Sequence, residues 1–240
     1  MSFLWSQLRQ AISLLDHGDP YIWGLVWVTI RVALISTAAA VVIGLPIGAA
    51  IGVGRFRGRR VLQALANMSL ALPPVVLGVG VLLFILPDGV FGGLRIEFTL
   101  TAVYVVQALL ALPFIVALTP AAIQGLPAGL LDQARALGAG GWRLGVFAVQ
   151  EAKLGVIAAV IAAMGATMSE VGAVIIVGGN FEGHDETLAS ALLANFTQQA
   201  NDPTETAIAL VLLVMILVLL GTLTAIQQRT RGIHLRFRTG

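Results

Sequence analysis

Between two long apolar runs, residues Asp132–Ala152 read DQARALGAGGWRLGVFAVQEA. Ala134, Leu137 and Gly138 recur at helical spacing, and so do Trp142, Gly145 and Val149. Gly138, Gly140 and Gly141 break that pattern in its middle, which predicts two short helices meeting at a glycine bend. Arg135, Arg143 and Lys153 give the segment a basic character.

The surrounding chain explains why such a segment stands out. Of 240 residues, 58% are hydrophobic and 11% charged, against about 25% charged in ordinary soluble chains. The expected class is an all-α integral membrane protein with five transmembrane helices. The arginines are clustered, and no nucleic-acid-binding motif accompanies them. The absence of cysteine excludes disulfides, thiol catalysis and thiolate metal sites. No G-x-x-x-x-G-K-[ST] cradle, H-E-x-x-H pair or nucleophile elbow occurs, so no catalytic residue, metal ligand or bound cofactor is expected in this chain. Residues Met1–Gln10 carry one cation and no cleavage pattern follows, so no removable signal peptide is expected.

In chain order, Phe3, Leu4, Leu8, Ile12 and Leu15 predict an amphipathic helix at the interface within residues 1–20, ended by His17-Gly18-Asp19-Pro20. A membrane domain over 21–228 follows, with spans at about 23–54, 61–86, 100–119, 154–177 and 206–228. Pro73-Pro74 should kink the second span. Ala158, Ala159, Ala162, Ala163, Gly165 and Ala166 give the fourth span small faces for close packing. Phe181–Glu205 reads as a polar loop, and His184, Asp185 and Glu186 within it as solvated side chains rather than metal ligands. A basic tail occupies 229–240.

Eleven of the fourteen Lys and Arg residues fall in the Arg55–Arg60 loop, the connection 120–153 and the tail. The positive-inside rule places those three on the cytoplasmic side, with the N-terminus outside and the C-terminus inside a cytoplasmic membrane.

Here the residues carry a resemblance. The permeases of ABC importers have a cytoplasmic loop that reads E-A-A, three residues, G, nine residues, I-x-L-P. Asp132, Gln133 and Ala134 stand at the E-A-A positions and Gly138 at the glycine, while Arg135, Leu137, Ala139, Trp142 and Arg143 are similar to the family's common choices. Ala148, Gln150 and Glu151 depart from the I-x-L-P end. Together with Ser169–Asn180, SEVGAVIIVGGN, and with Leu72–Gly78, LPPVVLG, the chain resembles the molybdate and tungstate permeases, most of all the tungstate type. The resemblance implies a coupling helix that meets a separate cytoplasmic ATPase dimer, with ATP and magnesium bound by that partner. It also implies an extracytoplasmic oxyanion-binding protein. Five spans enclose too little for a pathway, so a second copy should complete it.

Candidate coupling residues are therefore Asp132, Ala134, Arg135, Leu137, Gly138, Ala139, Trp142 and Arg143. Candidates for the pathway or its gate are Pro73, Pro74, Thr167, Ser169, Glu170 and Gly172. Glu170 is an acid deep in a span, and a bare carboxylate would repel a dianion, so a packing or gate-stabilising role is expected of it, with Thr167 and Ser169 lining the path. Arg31 reads as an arginine that snorkels to the outer interface. The alternative classes are an ion-coupled secondary transporter using Glu170 and Arg31 and a non-catalytic membrane assembly factor; no internal repeat supports the former.

Overall fold

The computed structural model describes residues 2–198 and 203–236, and its described residues are helical with no strand. Eleven α-helices follow one another: α1 Ser2–Asp16, α2 Pro20–Val53, α3 Arg59–Ser69, α4 Pro74–Ile85, α5 Leu100–Gln124, α6 Leu130–Ala136, α7 Gly141–Glu151, α8 Lys153–Ser169, α9 Gly172–Gly178, α10 Leu188–Gln198 and α11 Pro203–Arg236. Three stretches are long and apolar enough to cross a membrane alone, Pro20–Val53, Leu100–Gln124 and Pro203–Ala225. Two bent pairs, α3 with α4 and α7 with α8, bring the number to five if each is one span.

The long helix α2 is the post around which the others gather. Four clusters of buried side chains lie along it, at Ile22 and Leu25, at Val32, at Ala40 and at Ala49. The first holds the starts of α2, α10 and α11 together with Ala11 of α1. The last joins Ala148 of α7 with Ala152, Val156 of α8 and Ile123 of α5. Its start is set locally: Pro20 sits in the first turn, and the Asp19 carboxylate accepts from Tyr21 N at 2.9 Å and Ile22 N at 3.2 Å.

Against α2 lies α5, and the contact is made by absent side chains. A methyl added at Gly44 would lie 3.0 Å from Ile115 Cβ, at Gly48 2.8 Å from Thr119 Cβ, and at Gly52 2.7 Å from Ile123 Cδ1. Each step of four on α2 meets a step of four on α5, so the two run parallel, as a first and third span must. Close approach of this kind is how helices associate where lipid removes the hydrophobic gain.

Several boundaries differ from the expectation, each for a local reason. The second span is not one kinked helix: α3 ends at Ser69, α4 starts with Pro74 at its first position, and their axes differ by 98°. The fourth does not run unbroken to Val177. It stops at Ser169 and restarts as α9, while α7 meets α8 at 79°. The third extends to Gln124, through Pro113 and Pro120. In the supposed polar loop, α10 carries buried Leu188, Ala189, Ser190 and Ala191. Its signal was in the sequence: Thr187 and Ser190 cap each other, with Thr187 N to Ser190 Oγ at 2.9 Å and Ser190 N to Thr187 Oγ1 at 3.3 Å. α11 carries its helix on through the basic tail to Arg236, and residues 237–240 lie outside the described ones. α1 has the expected length, and its Ala11 is buried in the cluster with Ala207 and Ile208 of α11.

The glycine contact predicts an asymmetry. Gly48→Val should lower the thermal stability of the detergent-solubilised protein by about 1–3 kcal/mol, the usual cost of overpacking. Gly80→Val, which meets nothing within 4 Å, should shift melting far less.

Candidate functional site

The two short helices expected at the glycine bend are α6 and α7. The bend closes with a Schellman pattern: Gly138 N donates to Arg135 O at 3.0 Å and Ala139 N to Ala134 O at 2.9 Å. Gly138 takes φ +90° and Gly141 φ +51°, conformations that side-chain-bearing residues rarely adopt. Open space surrounds Gly138, so its constraint in the single chain is the backbone angle.

The eight candidate coupling residues divide into two sets. Ala134 is buried within the chain. Asp132 and Arg135 face the end of α2: Asp132 Oδ1 accepts from Arg55 Nη2 and from Arg135 Nη1, both at 2.6 Å, and Arg135 Nη2 donates to Val53 O at 2.8 Å. Leu137, Gly138, Trp142 and Arg143 are exposed, and Ala139 half-buried. Leu137 is 89% and Trp142 76% exposed, so two large apolar side chains flank the bend without cover from this chain.

The pathway candidates come together where two interrupted helices meet. Pro73 caps α4 and Pro74 begins it. A methyl on Gly172 would lie 2.5 Å from Val75 Cγ2, and one on Gly78 2.8 Å from Ala173 Cα, so the starts of α4 and α9 are in close contact. Glu170 is at the break and not inside a helix. Its Oε1 accepts from Ala173 N at 2.9 Å, supplying an acceptor to the first turn of α9. Ser169 is exposed at the break, with Oγ donating to Gly165 O and Ala166 O at 3.1 Å. Thr167 is buried and donates to Met164 O at 2.8 Å. Arg31 is exposed on α2 and is not ion-paired with Glu170.

The loop after α9 overturns the reading of a solvated acidic turn. His184 is exposed, but Asp185 and Glu186 are buried. The Asp185 carboxylate accepts from Asn180 N at 2.9 Å and Phe181 N at 3.0 Å, where Gly179 and Asn180 both have positive φ. Glu186 accepts from Tyr21 Oη at 3.1 Å and Asn180 Nδ2 at 3.4 Å. Burial pushes both carboxyls above their ordinary range, against the lowering by these hydrogen bonds. Sequence reading missed this because local polarity says nothing about which acid finds donors across 165 residues.

Residues 44–232 match the family described as binding-protein-dependent transport system inner membrane component. The chain belongs to that family. This permease is 32% identical over 222 residues to the "Probable anion ABC transporter permease protein" of Haloferax volcanii, covering 90% of this chain and 95% of that one. It is 27% identical over 228 residues to the "Tungstate uptake system permease protein TupB" of Peptoclostridium acidaminophilum, covering 95% and 100%. Its fold is similar to a chain in the solved structures titled inward-facing conformations of the MetNI methionine ABC transporter, with TM-score 0.71 at 23% identity over 88% of this chain and 98% of that one. The expected all-helical membrane class and the resemblance to ABC importer permeases both hold.

A carboxyl with a raised folded pKa binds protons more tightly folded than unfolded. Its contribution therefore falls as pH rises from the ordinary carboxyl range through the raised one. Glu186→Gln should keep melting within about 1 kcal/mol of the parent, because the amide oxygen still accepts from Tyr21, and should make the fall with pH shallower. Glu186→Ala should cost about 1–3 kcal/mol by leaving Tyr21 Oη and Asn180 Nδ2 without that acceptor. Calorimetry between acid and neutral pH checks both.

Proposed function

We propose that this permease carries a tetrahedral oxyanion of the tungstate and molybdate class into the cell, driven by a separate ATPase dimer that docks on the α6–α7 bend. The observation that carries the coupling role is the pair of large apolar side chains, Leu137 and Trp142, left uncovered on a bend rigidified by its own backbone hydrogen bonds. Aromatic and apolar anchors that fill a partner's pocket dominate interface energetics. The anion class is supported by the relatives named for anion and tungstate transport. ATP and magnesium are bound by the ATPase, and an extracytoplasmic binding protein delivers the anion.

Two copies pair to enclose the pathway. The Arg55–Arg60 loop, the α6–α7 bend and the C-terminal tail lie on the cytoplasmic side, as the distribution of Lys and Arg favours, with the N-terminus outside. The gate is the contact between α4 and α9, with Pro73, Pro74, Ser169, Glu170 and Gly172 around it. Glu170 acts there as the cap that keeps the break in α8–α9 in shape, and Ser169 presents a hydroxyl beside it. Docking of the ATPase moves the bend as a rigid body, and packed helix pairs switch between discrete arrangements in response.

Co-expressed permease and ATPase, reconstituted with the binding protein, should take up tungstate only with ATP. Leu137→Asp should cut ATPase co-purification by at least about tenfold, since it sets a charge in an apolar contact worth ~1.4 kcal/mol or more. Gly183→Asp, in the loop after α9, should leave co-purification intact. Full ATPase binding and normal uptake with Leu137→Asp would reject the docking site.

A further inference from the structure

We infer that Arg135 is a positioning residue that locks α6 to the C-terminal end of α2, so that displacement of the bend enters the bundle through α2. The inference rests on the coupling role proposed for α6, and it adds which span takes up the motion and through which side chain.

An α-helix leaves its last four carbonyls without helical partners. In α2 these belong to Ala50, Ile51, Gly52 and Val53, and each has one acceptor role filled. Gly54 N donates to Ala50 O at 2.9 Å. Arg59 donates through Nε to Ile51 O at 2.7 Å and through Nη2 to Gly52 O at 3.0 Å. The fourth carbonyl, Val53 O, is taken by Arg135 from α6. Two guanidinium groups also place positive charge at the negative end of the helix dipole.

Arg135 is held in that position from its other edge. Nη1 donates to Asp132 Oδ1, and the same oxygen accepts from Arg55 just beyond the end of α2. One carboxylate thus joins an arginine of α6 to an arginine following α2. The planar fork of guanidinium serves two acceptors at once, which a lysine ammonium cannot do with the same fixed geometry. At its other face α2 is bound to α5 through Gly44, Gly48 and Gly52. A bend displaced by the motor therefore pulls on α2, and α2 carries α5 with it. α7 adds apolar packing on the same helix, its Ala148 sharing a buried cluster with Ala49, whereas the route from α7 into α8 passes through a 79° corner.

The chain has no cysteine, so introduced thiols are specific. Spin labels at Leu137→Cys and Ile43→Cys, both exposed positions, would report the α6–α2 distance distribution on the permease alone by double electron–electron resonance. That distribution should be narrow in the parent, broad with Arg135→Ala and intermediate with Arg135→Lys. In the reconstituted complex, Arg135→Ala should raise the ATP hydrolysed per tungstate moved by about tenfold, the size of one charge-assisted hydrogen bond. A short bifunctional thiol reagent joining Arg55→Cys to Asp132→Cys in the Arg135→Ala background should restore the ratio, which a general loss of folding would not allow. Should Arg135→Ala fail to insert, Asp132→Asn keeps the size and removes the charge, and should broaden the distribution as well. Unchanged distributions in these variants overturn the inference, and so does a failure of the cross-link to restore coupling. If the ATPase docks elsewhere than Leu137 and Trp142, the proposed coupling role fails, while the distance measurement still reads the α6–α2 link on its own.

Discussion

The contact between α2 and α5 is the constraint from which the rest of the bundle takes its form. Lipid tails are as apolar as leucine, so helices in a bilayer gain little by hiding apolar surface from it, and must gain from close packing instead. Gly44, Gly48 and Gly52 bring the α2 backbone against Ile115, Thr119 and Ile123. The same device recurs where α4 meets α9, at Gly78 against Ala173, and where Gly155 of α8 meets Ala122 of α5. With α2 and α5 joined along their length, α8 packs on both and α9 on α5 and α4, and the four buried clusters follow in order from one end of α2 to the other.

Helix ends impose a second demand. Backbone groups freed in or near a bilayer must find partners inside the protein. Side chains both near and far in sequence meet it at several ends of this chain. Arg59 and Arg135 serve the end of α2, Glu170 serves the start of α9, and Thr29 of α2 accepts from Leu188 N at the start of α10 at 2.9 Å. Asp185 serves the turn that follows α9. The charged side chains that look most like chemistry in the sequence are therefore mostly bonded to backbone, Glu170 at the start of α9 among them.

The two helix breaks and the α6–α7 bend meet those demands in different ways. The α3–α4 and α8–α9 breaks interrupt helices at Pro73-Pro74 and at Glu170-Val171, and their restarted halves meet at Gly78 against Ala173 and Gly172 against Val75, with Val81, Ile85, Val174 and Val177 in one buried cluster. The α6–α7 bend is the opposite case. Its backbone is tightly bonded and its apolar side chains are uncovered, which is the combination a rigid docking element requires.

Much of this was legible in the chain itself. Composition set the membrane class, hydropathy marked the apolar stretches that form α2, α5 and α11, and the glycine run after Leu137 marked the bend and its two helices. These are properties of short windows: apolar length, helical period and the αL preference of glycine act on neighbours. The glycine stripe at 44, 48 and 52 was present as a four-residue repeat, yet its meaning depended on Ile115, Thr119 and Ile123 arriving opposite it. Nothing local told Asp185 and Glu186, which are buried, from Glu182 and His184, which are exposed, or showed that Arg135 would turn to Val53 O while Trp142 stayed uncovered. The pairings of Glu186 with Tyr21 and of Arg135 with Val53 span 165 and 82 residues, while Asp185 turns back on a nearby turn whose positive-φ backbone only the fold sets. Only the tertiary structure decided them, because a buried charge is tolerated only where the fold brings it a partner.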